Sequence, residues 1–100
     1  MNVGYELLKN CIPVLSCRKF RDNGDLLIVM NEEREIFYLN DTAKMIYMYF
    51  DGKHKISDVL DMMKSEFEAE NESDENILQS DLVTIIRDFQ WQKVIKLMEE

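Results

Sequence analysis

The chain has 100 residues, 46% of them apolar and 32% charged, with a formal net charge of −8. That is enough for one hydrophobic core inside a solvated surface, and three glycines and one proline exclude a linker or low-complexity chain. The acidic balance argues against nucleic-acid or anionic-membrane partners, which need a cationic face.

The densest basic run, Arg18-Lys19-Phe20-Arg21, is followed at once by Asp22 and Asp25. Residues 1–12 carry Glu6 and Lys9 and lack the apolar region of a signal peptide. The longest apolar run, Leu26 to Met30, is far short of a membrane span, so a cytoplasmic protein is expected. Cys11 and Cys17, if they share one strand, lie about 20 Å apart, beyond the ~7 Å that a disulfide allows. They are expected as reduced thiols, with no metal site.

In chain order, Pro13–Cys17 is the first strand candidate, with Pro13 near its start, where a missing N–H is tolerated. Asp22-Asn23-Gly24-Asp25 is a turn signal. Leu26–Met30 and Glu35–Leu39 are the next strands, separated by the polar turn Asn31–Arg34. Short turns between consecutive strands favour an antiparallel meander whose third strand is an edge.

Asn40 and Asp41 then suit a helix N-cap, and Ala43, Ile46, Tyr47 and Phe50 recur with helical spacing until Asp51-Gly52. A second helix starts near Ser57 with the stripe Ile56, Val59, Leu60, Met63 and Phe67. The acidic stretch of about 68–76 reads as a mobile loop. The third helix is expected from about Ser80 to Trp91, and Val94–Leu97 fits either a closing strand or a continuation of that helix. The expected fold is therefore a single α+β domain over 1–100. A three-stranded antiparallel N-terminal sheet is followed by a three-helix, winged-helix-like bundle.

Little in the sequence points to catalysis, and no cofactor is expected. His54 stands alone in the basic turn Gly52-Lys53-His54-Lys55 and reads as solvated, and the glycines are too scattered for a phosphate loop. Seven methionines fit core filling better than a peptide groove, since Met45, Met48, Met62 and Met63 fall at helical spacings.

The edge strand is the better candidate, because unpaired N–H and C=O groups accept an added strand. Alternation places Ile36 and Tyr38 on one face and Phe37 and Leu39 on the other. Arg34 and Glu35 lead into it. On the third helix, Val83 and Ile86 form the more apolar flank for a peptide, with Gln90 and Arg87 beside them. Proline at Phe37 is expected to abolish binding by removing a backbone donor. A winged-helix DNA regulator and a structural subunit of a complex are the competing readings.

Leu39-Asn40-Asp41-Thr42-Ala43 with Ile46 resembles the Leu-Asn-x-Thr-Ala-x-x-Ile element of the PqqD-like family, the precursor-peptide recognition elements of ribosomally made, modified peptides. Asp51-Gly52, Ile56-Ser57-Asp58-Val59-Leu60 and Asp81-Leu82 match further positions. So do Pro13 and Arg18 or Arg21, and the resemblance spans roughly residues 11–97. Gln92-Lys93 stands where the family often has a glycine, and the acidic insertion is longer than usual. The resemblance implies a non-enzymatic protein that binds a leader peptide as a strand added to the third strand, against the third helix. It also implies a separate maturation enzyme as partner, either a radical-SAM maturase or a lasso-type leader peptidase and cyclase.

Overall fold

The computed structural model describes residues 3–99. A short helix, α1 (Val3–Leu8), precedes β1 (Ile12–Leu15), β2 (Cys17–Asp22), β3 (Leu27–Asn31) and β4 (Ile36–Leu39). Then come α2 (Asp41–Met48), α3 (Ile56–Glu66), α4 (Glu72–Trp91) and β5 (Ile95–Met98). This is a mixed α+β domain with antiparallel sheets and, among the described residues, four helices.

Strands β2, β3 and β4 form one antiparallel sheet in that order, and β1 pairs with β5 in a separate two-stranded ribbon. The expected first strand, 13–17, is thus divided. Pro13 opposes Leu97 in the ribbon, while Cys17 opposes Asn31 in the larger sheet. Ser16 lies between the two strands, and its N–H donates to Val94 O at 2.8 Å. The same pairing settles the open reading of 94–97, which is a strand from Ile95 onward.

The period of two along β3 is visible in its burial: Leu27 and Val29 are fully covered, while Ile28 and Met30 are half-exposed. The helices lay their apolar stripes over the Leu27, Val29 and Leu39 face. Ile46, Tyr47 and Phe50 come from α2 and the residues after it, and Ile56, Val59, Leu60 and Met63 from α3. Leu82, Ile86 and Phe89 supply the centre of α4, and Phe50 meets Phe89 edge-to-face at 6.0 Å. Met63 fills core as expected, whereas Met48 is exposed. Phe67, assigned to the α3 stripe from its spacing, is also largely exposed, because it forms the C-cap.

Two further expectations are corrected. Residues 72–76 are not loop but the first turns of α4, so the helix starts eight residues before Ser80. Asn71 caps it, its side chain accepting from Asp74 N at 2.9 Å. The acids Glu72, Asp74 and Glu75 sit at the positive end of the helix dipole, where their charge is stabilising. Glu75 is also paired with Lys64 of α3. The second correction is α1, which packs against α4 and brings residues 9–11 over the start of α3. There the Cys11 and Lys9 carbonyls accept from Ile56 N and Ser57 N, two donors that a helix start leaves unpaired. His54 is held in its turn rather than simply solvated: Asp51 Oδ1 accepts from the N–H groups of Lys53 and His54, and Nδ1 lies 2.7 Å from Asp51 Oδ2.

Both cysteines are free. Cys17 Sγ donates to Tyr47 Oη at 4.0 Å, and burial pushes the Tyr47 phenol up to about 12. An unfolded phenol ionises near 10, so the unfolded chain releases this proton first. The stability that comes from keeping Tyr47 neutral is complete below pH 10 and is lost between pH 10 and about 12. Tyr47→Phe is therefore expected to flatten the alkaline fall in melting temperature, measured by thermal melts from pH 9 to 12.

Candidate functional site

β4 is an edge: among the described residues it pairs with β3 and with no other strand. Asn31 N donates to Glu35 O at 3.0 Å, and the register continues as Met30 opposite Ile36, Val29 opposite Phe37, and Ile28 opposite Tyr38. In an antiparallel pair, hydrogen-bonded and non-hydrogen-bonded positions alternate. Phe37 and Leu39 therefore direct their backbone groups inward to β3. Ile36 and Tyr38 present theirs to the free edge.

The side chains divide in the same way. Phe37 and Leu39 turn to the core, while Ile36 and Tyr38 lie on the outer face, 43% and 67% exposed. That outer face carries two rows across the sheet. Arg18, Met30 and Ile36 form one, and Arg21, Ile28 and Tyr38 the other.

Between β4, the head of α2 and α4 runs a cleft of about 380 Å³. Leu39 and Phe89 are its floor. Tyr38, Asn40, Thr42 and Ala43 form one wall, and Asp81, Thr84, Ile85, Asp88 and Gln92 form the other. The Leu-Asn-x-Thr-Ala element gains a physical meaning here. Leu39 anchors the end of the strand in the core. Asn40 Oδ1 accepts from Ala43 N at 3.0 Å and starts α2. Thr42 and Ala43 are small enough to leave the cleft open. Thr42 and Asp81 also line a second hollow of about 290 Å³, with Met63, Phe67, Ile77 and Leu78, so the two hollows are continuous along α4.

Of the residues expected at the site, Tyr38 and Leu39 line this cleft, and Ile36 and Phe37 lie in the strand beside it. The structure does not bring the others to it. Val83 and Ile86 are buried, 7% and 0% exposed, so they are core and not groove wall. The cleft uses the opposite flank of α4, through Thr84 and Asp88. Gln90 lines a separate hollow with Glu33 and Lys93. Arg87 is exposed and does not line the cleft. Arg34 sits in the β3–β4 turn with φ +65° and lines a hollow beside β2. Glu35 Oε1 accepts from Asn31 Nδ2 at 3.1 Å, a contact within the hairpin.

Asn31 is a residue the sequence reading left in a polar turn, and it organises this end of the site. It is 4% exposed. Its Oδ1 accepts from Glu33 N and Glu35 N, both at 2.9 Å, and its Nδ2 donates to Gln92 O at 2.8 Å. It thereby joins the β3–β4 turn to the end of α4. Lys93, with φ +59°, occupies the left-handed position where the resembled family often has glycine, and it pairs with Glu33 across the same junction. The Lys93 hydrogen bond holds the Glu33 carboxyl below its ordinary value, and that contact raises Lys93.

Among the described residues, no group of three His, Cys, Asp or Glu could hold a metal ion, and no helix is long and apolar enough to cross a membrane. No curated protein and no solved structure matches the chain. The sheet edge, the capped head of α2 and the facing helix α4 all fall within residues 27–95. That stretch matches the family described as Coenzyme PQQ synthesis protein D (PqqD), and the chain belongs to this family.

Proposed function

We propose that the chain binds the leader region of a ribosomally synthesised precursor peptide by strand addition at β4, and presents it to a separate maturation enzyme. The observation that carries this reading is the free edge at Ile36 and Tyr38, lying alongside an open cleft. Family membership supports it, because it implies a peptide-binding part in the making of ribosomally derived, modified peptides. The protein's role is accessory and not enzymatic. Holding the leader raises the local concentration of the core peptide at the enzyme, a radical-SAM maturase or a lasso-type leader peptidase and cyclase.

The succession of α2, α3 and α4 behind the sheet supports a winged-helix-like arrangement, but Asp81 and Asp88 on the exposed flank of α4 repel phosphate and weigh against a DNA reader. The test is titration of fluorescein-labelled synthetic leaders, made from the short reading frames beside the gene, into the full chain. Saturable binding to one of them is the expected result. No binding to any of them sinks the proposal.

A further inference from the structure

Among the described residues, charged side chains line this cleft only as carboxylates. Asp81 and Asp88 stand on the α4 wall, Asp74 stands on the adjoining hollow, and among the described residues no lysine or arginine lines either. The three are seven residues apart, two helical turns each, so they form one stripe with about 10.5 Å between members. Lys44, the neighbour of Ala43, is turned away to Asp22 Oδ1 and Gly24 O at 2.8 and 2.9 Å.

Asp74 has a structural reason to be where it is, in the first turn of α4, accepting from Glu70 N. Asp81 and Asp88 do not. Aspartate is a poor residue for a helix interior, and an anion near the C-terminal end opposes the helix dipole. Asp88 lies three residues from the end of α4, whose last turn contains no base. Positions that break local rules without a structural gain mark places selected for something else.

We infer that the peptide strand taken up at β4 is cationic on the face it turns to α4, with lysine or arginine at alternate positions to meet Asp81 and Asp88. This deepens the leader-binding reading and rests on it. Strand addition fixes the geometry. Neighbouring residues of an added strand point to opposite faces, so only every second residue reaches the helix. Residues two and four apart on that face are about 7 and 14 Å apart, which brackets the carboxylate spacing within the reach of long side chains. The residues between them lie beside Ile36 and Tyr38 on the outer face and favour apolar partners.

A display library of random dodecapeptides panned on the full chain tests this. The expected result is enrichment of lysine and arginine over acids at positions of one parity. In a synthetic copy of a selected peptide, Asp81→Asn with Asp88→Asn weakens binding about five- to tenfold. The same double variant leaves a lysine-to-glutamine copy of that peptide almost unaffected. These are surface amide replacements, and unchanged melts check that the fold is kept. Peptides that bind at β4, shown by loss on Tyr38→Pro, yet lack basic enrichment or ignore the double variant overturn the inference while leaving strand addition standing. A library that yields no binder overturns both.

Discussion

Tyr38→Pro is expected to abolish saturable peptide binding while the domain stays folded, whereas Phe37→Pro is expected to unfold it. The two residues are adjacent and differ in where their N–H groups point. Asn31 and Glu35 form a hydrogen-bonded pair, so Val29–Phe37 is the next such pair along the ladder. Proline at Phe37 removes a donor inside the sheet and also a side chain packed on the core, costing about 3 kcal/mol or more. Its effect on binding would be a by-product of unfolding, so proline at this position does not isolate the edge donor as the sequence reading expected.

Tyr38 points its N–H outward from an edge strand, a setting in a sheet where proline is tolerated. Its loss removes one of two outward donors on β4. The proline ring also stands where a ligand strand must lie, so affinity falls by well over about tenfold. Circular dichroism melts beside the leader titration separate the two outcomes. A folded Tyr38→Pro protein that binds normally would remove strand addition from consideration.

The contrast shows how far the sequence could be read. Periodicity identified the buried faces well, because burial is what periodicity reports. Leu27 and Val29 lie in an unbroken apolar run whose buried face spacing alone does not pick, but Ile46, Tyr47, Val59, Leu60, Leu82 and Phe89 all fall where their spacing put them. The edge strand and the helix cap at Asn40 were legible for the same local reason. What failed depended on partners distant in sequence. Val83 looks like a groove wall until the packed core, in which it is buried, is known. The split of 12–17 between two sheets is decided by β5, some eighty residues later. The acids at 72–75 carry the same composition in a mobile loop and in a helix N-terminus, and their position after Asn71 decides between them.

Asn31→Ala is expected to cost about 2–4 kcal/mol, the size of losing a buried polar hub and not a surface contact. The side chain is almost fully buried and satisfies all of its hydrogen-bonding capacity. It accepts from Glu33 N and Glu35 N and donates to Glu35 Oε1 and Gln92 O. Alanine removes these bonds at once and leaves the Gln92 carbonyl, at the end of α4, without its donor. For a domain of this size the loss lowers the melting temperature by roughly 10–20 °C. It also frees the end of α4 from the β3–β4 turn, so the cleft walls are expected to lose their fixed spacing, and under the proposed function leader affinity falls with stability.

Asn31→Asp separates hydrogen bonding from volume. It keeps the two acceptor contacts but turns a carboxylate toward Gln92 O and the Glu35 carboxylate, where the native amide donates. The introduced carboxyl is therefore held above its unfolded pKa, which gives the stability a definite sign with pH. The stability it retains is present below the unfolded value and is lost as pH rises through the folded one. The native protein runs the other way, since Asp22 and Glu33, both held below their ordinary values by hydrogen bonds from lysines, lose stability as pH falls. Thermal melts from pH 3 to 8 on both proteins read this directly. The gap between them narrows toward acid if Asn31 is the hub, and an unchanging gap would show that its amide donors carry little of the junction.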